Sequence, residues 1–180
     1  MFIWVISLVG MPEIPEESKV EETKTTTKAP QKSAPVPTGP LAFTPEEAQE
    51  AMAAAQLTLN AFTNRSIGEV KALANPPPMV NWTTSLVVIL LSGDPKPCDW
   101  RTAQKYMNNP NAFLENLRNF DANRITMRMI RSCQKIIRVN ELSEGEIARK
   151  SVPATTLFKW VDAFVSRAKS NPIQEIVPDN

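Results

Sequence analysis

An all-α bundle is the architecture this sequence calls for, on three observations. Hydroxyl residues stand three positions ahead of Glu in Thr44-Pro45-Glu46-Glu47, Ser66-Ile67-Gly68-Glu69 and Ser143-Glu144-Gly145-Glu146, the reciprocal pattern that satisfies end amides at helix starts. Apolar residues recur at three and four positions rather than two. Prolines, 16 of them against 5 Gly, fall at the edges of these periodic stretches and not inside repeated strand-length runs.

The chain opens on MFIWVISLVG, an apolar run about half the ~20 residues needed to cross a bilayer, with none of the basic n-region of a signal peptide. It reads either as a packed or partner-bound strand or as residues upstream of a start at Met11. From Pro12 to Pro40 there are 6 Pro, a Thr/Lys-rich run and no apolar periodicity. Such a stretch cannot bury enough to offset its ordering entropy, so residues 1–43 are expected to be an extended or disordered arm.

Thr44 caps the first helix, with Pro45 at its first position. Met52, Ala55, Leu59 and Phe62 then form a narrow coiled-coil-like seam. Ile67, Val70 and Leu73 are out of step with it, which predicts a kink or restart near Ser66 before Pro76-Pro77-Pro78 ends the segment. As one stalk-like helix, 44–75 would span about 48 Å at about 1.5 Å per residue. Val80–Leu91 is apolar nearly all round and predicts a central buried helix closed by Gly93; its length argues against a buried strand. Asp99 caps a short helix through Met107, and Asn109-Pro110 opens another with Phe113, Leu114, Leu117 and Phe120 on one face.

Arg124, Arg128, Arg131, Lys135 and Arg138 recur at spacings of 4, 3, 4 and 3, beside an apolar stripe of Ile125, Met129, Cys133 and Ile136. Between Arg118 and Arg138 there are six basic residues and one acid, Asp121, so the charges are not mainly neutralised within their own helix. The ridge reads either as a solvated helix face or as a docking surface for an acidic partner. Ser143 opens the last stretch, where Pro153 demands a kink, or a turn ending near Lys150 and a new helix capped by Ser151. Leu157, Trp160, Val161 and Phe164 make its core face.

Composition narrows the chemistry. With no His in 180 residues there is no imidazole base, no hydroxyl or thiol nucleophile paired with one, and no His ligand for zinc. Cys98 and Cys133 are too far apart for a CxxC motif and fit free thiols in a reducing compartment. Metal, cofactor and catalytic roles are therefore not expected, and Trp82, Trp100 and Trp160 at helical spacing read as packing residues. The near-neutral total hides a gradient: residues 76–180 carry 14 basic and 10 acidic side chains, while 44–75 carry 2 and 4. No aromatic is interleaved with the ridge, which argues against nucleic acid.

Ile67-Gly68-Glu69-Val70-Lys71, Asn75-Pro76-Pro77-Pro78-Met79-Val80, Ile89-Leu90-Leu91, Trp100, Phe113-Leu114-Glu115-Asn116-Leu117 with Asp121 and Ile125, then Ser151 and Leu157-Phe158-Lys159-Trp160-Val161 form an ordered series from about Ala54 to Lys169. The series resembles the microtubule-binding domain at the tip of the dynein heavy-chain stalk. The resemblance implies a small helical bundle over 76–170, preceded by the stalk-like helix 44–75 and the arm 1–43, and followed by a tail, 171–180. It implies docking on α/β-tubulin through the helix after the prolines, a basic mid-domain helix and the start of the last helix. By position these are Asn81, then Arg128 and Arg131 with ridge neighbours Arg124, Lys135 and Arg138, then Arg149 and Lys150. Dyneins often place Lys where this chain has Asn81, so one charge contact of the motile module is missing.

These 180 residues hold no GxxxxGK[ST] nucleotide loop. The expectation is a non-catalytic, stand-alone structural binder of the tubulin lattice in an axonemal or flagellar array of the cytoskeleton, with residues 1–43 free to contact other axonemal proteins and with neither nucleic acid nor membrane as partner. The alternative is a helical adaptor whose ridge binds another acidic protein or membrane surface.

Overall fold

The structure is a computed structural model that describes residues 39–168; expectations for the apolar start, most of the arm and the tail fall outside these residues. Eight α-helices and one short 3-10 turn make up the described residues, with a single isolated antiparallel bridge, Leu41 to Thr126, and no strand.

Helix α1 (Pro45–Thr58) starts as the sequence indicates: the Thr44 hydroxyl accepts from the Glu47 amide at 3.4 Å, and Glu47 Oε2 accepts from the Thr44 amide at 2.9 Å. Its buried face is all alanine, Ala48, Ala51 and Ala55, which lets α1 lie close against the last helix, α8 (Val152–Ala168), and against the 3-10 turn Ala122–Arg124. The segment 44–75 is therefore not one 48 Å rod. It breaks after Leu59 and restarts as α2 (Asn64–Lys71), which packs on α8 and on α5 (Pro110–Arg118). The restart comes before Ser66. Thr63 is the cap, and Ser66 plays the returning role, its Oγ accepting from the Thr63 amide at 3.4 Å. Glu69, expected to complete a box with Ser66, pairs with Arg65 at 3.2 Å instead.

The prolines begin an element rather than end one. α2 stops at Lys71, and Pro78 is the first residue of α3 (Pro78–Ser92), where a missing amide costs nothing. Side chains from α4 (Trp100–Tyr106) cover the end of α2: Trp100 Nε1 donates to the Leu73 carbonyl at 3.1 Å and Gln104 Nε2 to the Lys71 carbonyl at 2.9 Å. Helix α3 is buried from Thr83 to Leu90, as its all-round apolar pattern requires, and Gly93 closes it at φ +77, a conformation that favours glycine. Around it pack α4, α6 (Met127–Val139), α7 (Glu144–Ala148) and α8.

Ser151 caps α8, its Oγ accepting from the Ala154 amide at 3.2 Å, so Pro153 sits in a first turn and kinks nothing. Trp160 and Phe164 of α8 meet Phe120 and each other edge-to-face, with centroids 5.1–5.4 Å apart. Ser143 does accept from the Glu146 amide at 3.4 Å, but the Glu146 carboxylate turns to Arg149, so only half of the expected capping box forms. Residues 40–43, counted with the arm from sequence, are part of the bundle: Ala42 and Phe43 are buried.

Candidate functional site

The mid-domain basic helix is α6. Thr126 caps it, 3% exposed, with its hydroxyl accepting from the Met129 amide at 3.4 Å. Met129, Ile130, Cys133 and Ile136 are buried and fix which face turns inward, so Arg128, Arg131, Lys135 and Arg138 are exposed on the face turned outward. At 1.5 Å per residue the four cations span about 15 Å of helix. Among the described residues no carboxylate pairs with any of the four, in contrast to Arg65, Arg149 and Lys159, each of which has a Glu partner. Arg131, Gln134, Lys135, Ile137 and Arg138 line an open depression of about 510 Å³, so the ridge carries an amide and an aliphatic side chain between its charges.

Arg124 is not on this helix. It ends the 3-10 turn, is half-buried, and is separated from the ridge by the Thr126 cap, so the four-residue step from 124 to 128 is not a helical step. Asn81 stands in the first turn of α3, half-buried, with its Oδ1 shielded from solvent and meeting no hydrogen-bond partner. Arg149 caps the C-terminal end of α7 and Lys150 lies in the turn before α8, both exposed. The Arg149 guanidinium is engaged by Glu146, while Glu144 holds Lys159 Nζ at 2.8 Å, so the acids of α7 partly neutralise this end. Among the described residues Lys150 has no carboxylate partner.

Three positions were not singled out by the sequence. Gln134 and Ile137 line the depression, and their signal was helical adjacency to Lys135 and Arg138. Ser132 hydrogen-bonds the Pro95 carbonyl and thereby ties the middle of α6 to the loop after α3; nothing in the sequence spacing marks this long-range contact.

Both thiols are held toward their protonated form. Burial pushes Cys133 up to about 12, and burial also raises Cys98, whose amide donates to Ser85 Oγ at 2.9 Å. Among the described residues no group of three or more Cys, Asp and Glu side chains is arranged to hold a metal ion, and no helix is long and apolar enough to cross a membrane. What the surface can do is hold an extended acidic partner against a row of cations on a rigid helix.

The family model described as the microtubule-binding stalk of dynein motor matches residues 14–169, which includes most of the arm as well as the bundle. The dynein alpha chain of the flagellar outer arm of Chlamydomonas reinhardtii is 32% identical over 135 residues, covering 73% of this chain and 3% of the relative. The ciliary dynein beta chain of Tripneustes gratilla is 31% identical over 118 residues, covering 64% of this chain and 3% of the relative. The human dynein axonemal heavy chain 9 is 28% identical over 118 residues, with the same two shares, 64% and 3%. The chain thus spans about 3% of the length of these curated relatives.

Proposed function

The chain belongs to the family of dynein microtubule-binding stalks, and from that membership we propose that it binds the α/β-tubulin lattice through the α6 ridge as a non-catalytic structural element of an axonemal or flagellar microtubule array. The observation that carries the reading is the row Arg128, Arg131, Lys135 and Arg138, without a carboxylate partner among the described residues and held outward by a buried apolar face, on the basic mid-domain helix through which the resemblance implies docking. Lys150 and Arg149, at the entry to α8, extend the contact. Asn81 contributes from α3 only if its carboxamide turns outward, and Arg124 supports the approach to α6 from its 3-10 turn. A cytoskeletal location in a cilium or flagellum is part of the proposal, supported by relatives named as ciliary, flagellar and axonemal chains. Other axonemal proteins are proposed partners of residues 1–43.

The test is co-sedimentation of the full chain with taxol-stabilised microtubules at low ionic strength. The wild type pellets, and Arg128→Glu with Arg131→Glu abolishes pelleting while the helical circular-dichroism signal stays unchanged. If the double reversal pellets like wild type, the ridge is not the contact. Loss of binding to anionic vesicles, with microtubules ignored throughout, would transfer the ridge to the adaptor reading.

A further inference from the structure

Helix starts leave their first amides without intrahelical partners. In α6 the first of these, the Met127 amide, is satisfied by the Pro40 carbonyl at 3.0 Å, from a segment 87 positions away in the chain. The Ala42 amide returns a bond to the Ile125 carbonyl at 2.8 Å, and Leu41 faces Thr126 across the bridge. Ala42 is 1% and Ile125 0% exposed, so the bond between them joins two buried residues, where an unpaired backbone group is costly, while Pro40 on the other bond is exposed. The chain turns into this pairing at Gly39, whose φ of +134 favours glycine, and a β-carbon there would stand 3.7 Å from Arg128 Cδ.

We infer that Gly39–Phe43 form a positioning strap for tubulin binding: they hold the first turn of α6, and with it Arg128, in the orientation that presents the ridge to the polymer. The inference rests on the reading of α6 as the tubulin-facing element. It adds residues outside the ridge that set the ridge's affinity without themselves touching tubulin. The strap meets α6 only at its start, so its influence falls on Arg128 rather than on Lys135 or Arg138, which lie about 10–15 Å further along the axis. Anything that strains the chain at Gly39 loosens the cap of α6 and lowers the polymer affinity.

The experiment uses the full chain and two strap variants, Gly39→Ala, which disfavours the turn without filling occupied space, and Ala42→Pro, which removes the donor to Ile125. Hydrogen exchange of the Met127 amide reads the strap, and microtubule co-sedimentation reads the consequence. Expected is faster Met127 exchange and affinity weakened roughly three- to tenfold in both variants. In an Arg128→Ala background the Gly39→Ala effect on affinity shrinks, whereas in a Lys135→Ala background it persists, a difference that a merely destabilised fold would not produce. Faster exchange with unchanged affinity overturns the inference, and so does unchanged exchange. Failure of the underlying reading shows separately, as a wild-type chain that does not pellet before any strap variant is made.

Discussion

Glu141 carries φ +49, the left-handed conformation at the position after the Asn140 cap of α6. The Leu142 amide donates to the Ile137 carbonyl at 3.0 Å and the Glu141 amide to the Arg138 carbonyl at 3.4 Å, the paired closing bonds of a helix end that usually places glycine there. A side chain in this conformation costs about 1–2 kcal/mol, and glycine adds about 0.5–1 kcal/mol of unfolded-chain freedom in return. Glu141→Gly should therefore stabilise by about 0.5–1 kcal/mol, seen as a higher urea midpoint at unchanged slope. At this scale four caps were legible, Thr44, Asp99, Asn109 and Ser151, which sit where spacing put them, whereas Thr63 took the place expected of Ser66 and Thr126 was not marked by spacing. Arg124 and Asn81 were not, because their exposure is decided elsewhere. A cap at Thr126 cuts Arg124 from the ridge, and packing around α3 shields the Asn81 oxygen.

Helix α1 shows why elements are harder to bound than to detect. Its start is encoded locally, but its course along α8 depends on three alanines that carry little periodic signal by themselves. Read alone, the segment suggested a stalk-like helix with a kink or restart near Ser66; the small side chains permit close approach of its first part to the bundle. Ala51 is 0% exposed, so Ala51→Leu would force extra volume into that contact and should destabilise by about 1–3 kcal/mol. Thermal denaturation would read it, with Ala53→Leu on the exposed face as the control that leaves the melting temperature nearly unchanged. By contrast α3 was legible as a helix from its length and its all-round apolarity, since a run that is buried on every side needs no partner-specific clue. The strap at 40–43 left no trace at this level: its pairing with 125–127 joins two short segments that have no strand pattern of their own.

For the molecule as a whole, the family was legible because its apolar and proline landmarks recur in order along the chain, whereas the choice of binding surface was open between a solvated face and a docking ridge. Cations without partners at home are compatible with both, and support the proposed docking ridge without deciding for it. Those of α6 have none among the described residues, while Arg149 and Lys159 do. Exposed ion pairs contribute roughly 0.2–1 kcal/mol each, so four ridge cations supply at most about 4 kcal/mol, about half of what a micromolar complex requires. On the proposed docking mode the rest is expected from Lys150, the apolar and amide groups of the depression, and repetition along the polymer. That division fixes the salt response. Raising ionic strength from 0.01 to 0.15 M shortens the screening length from about 30 to about 8 Å, which weakens the ridge while leaving apolar and hydrogen-bonded contacts nearly intact. Pelleting affinity should fall about tenfold or more over that range, a change of about 1.4 kcal/mol or more, and then level off. In Arg128→Ala with Arg131→Ala the low-salt affinity should be lower and the fall shallower, so that the two curves converge toward high salt. Parallel curves would mean that the removed charges act through the fold, and that the electrostatic contact with the lattice lies on another face.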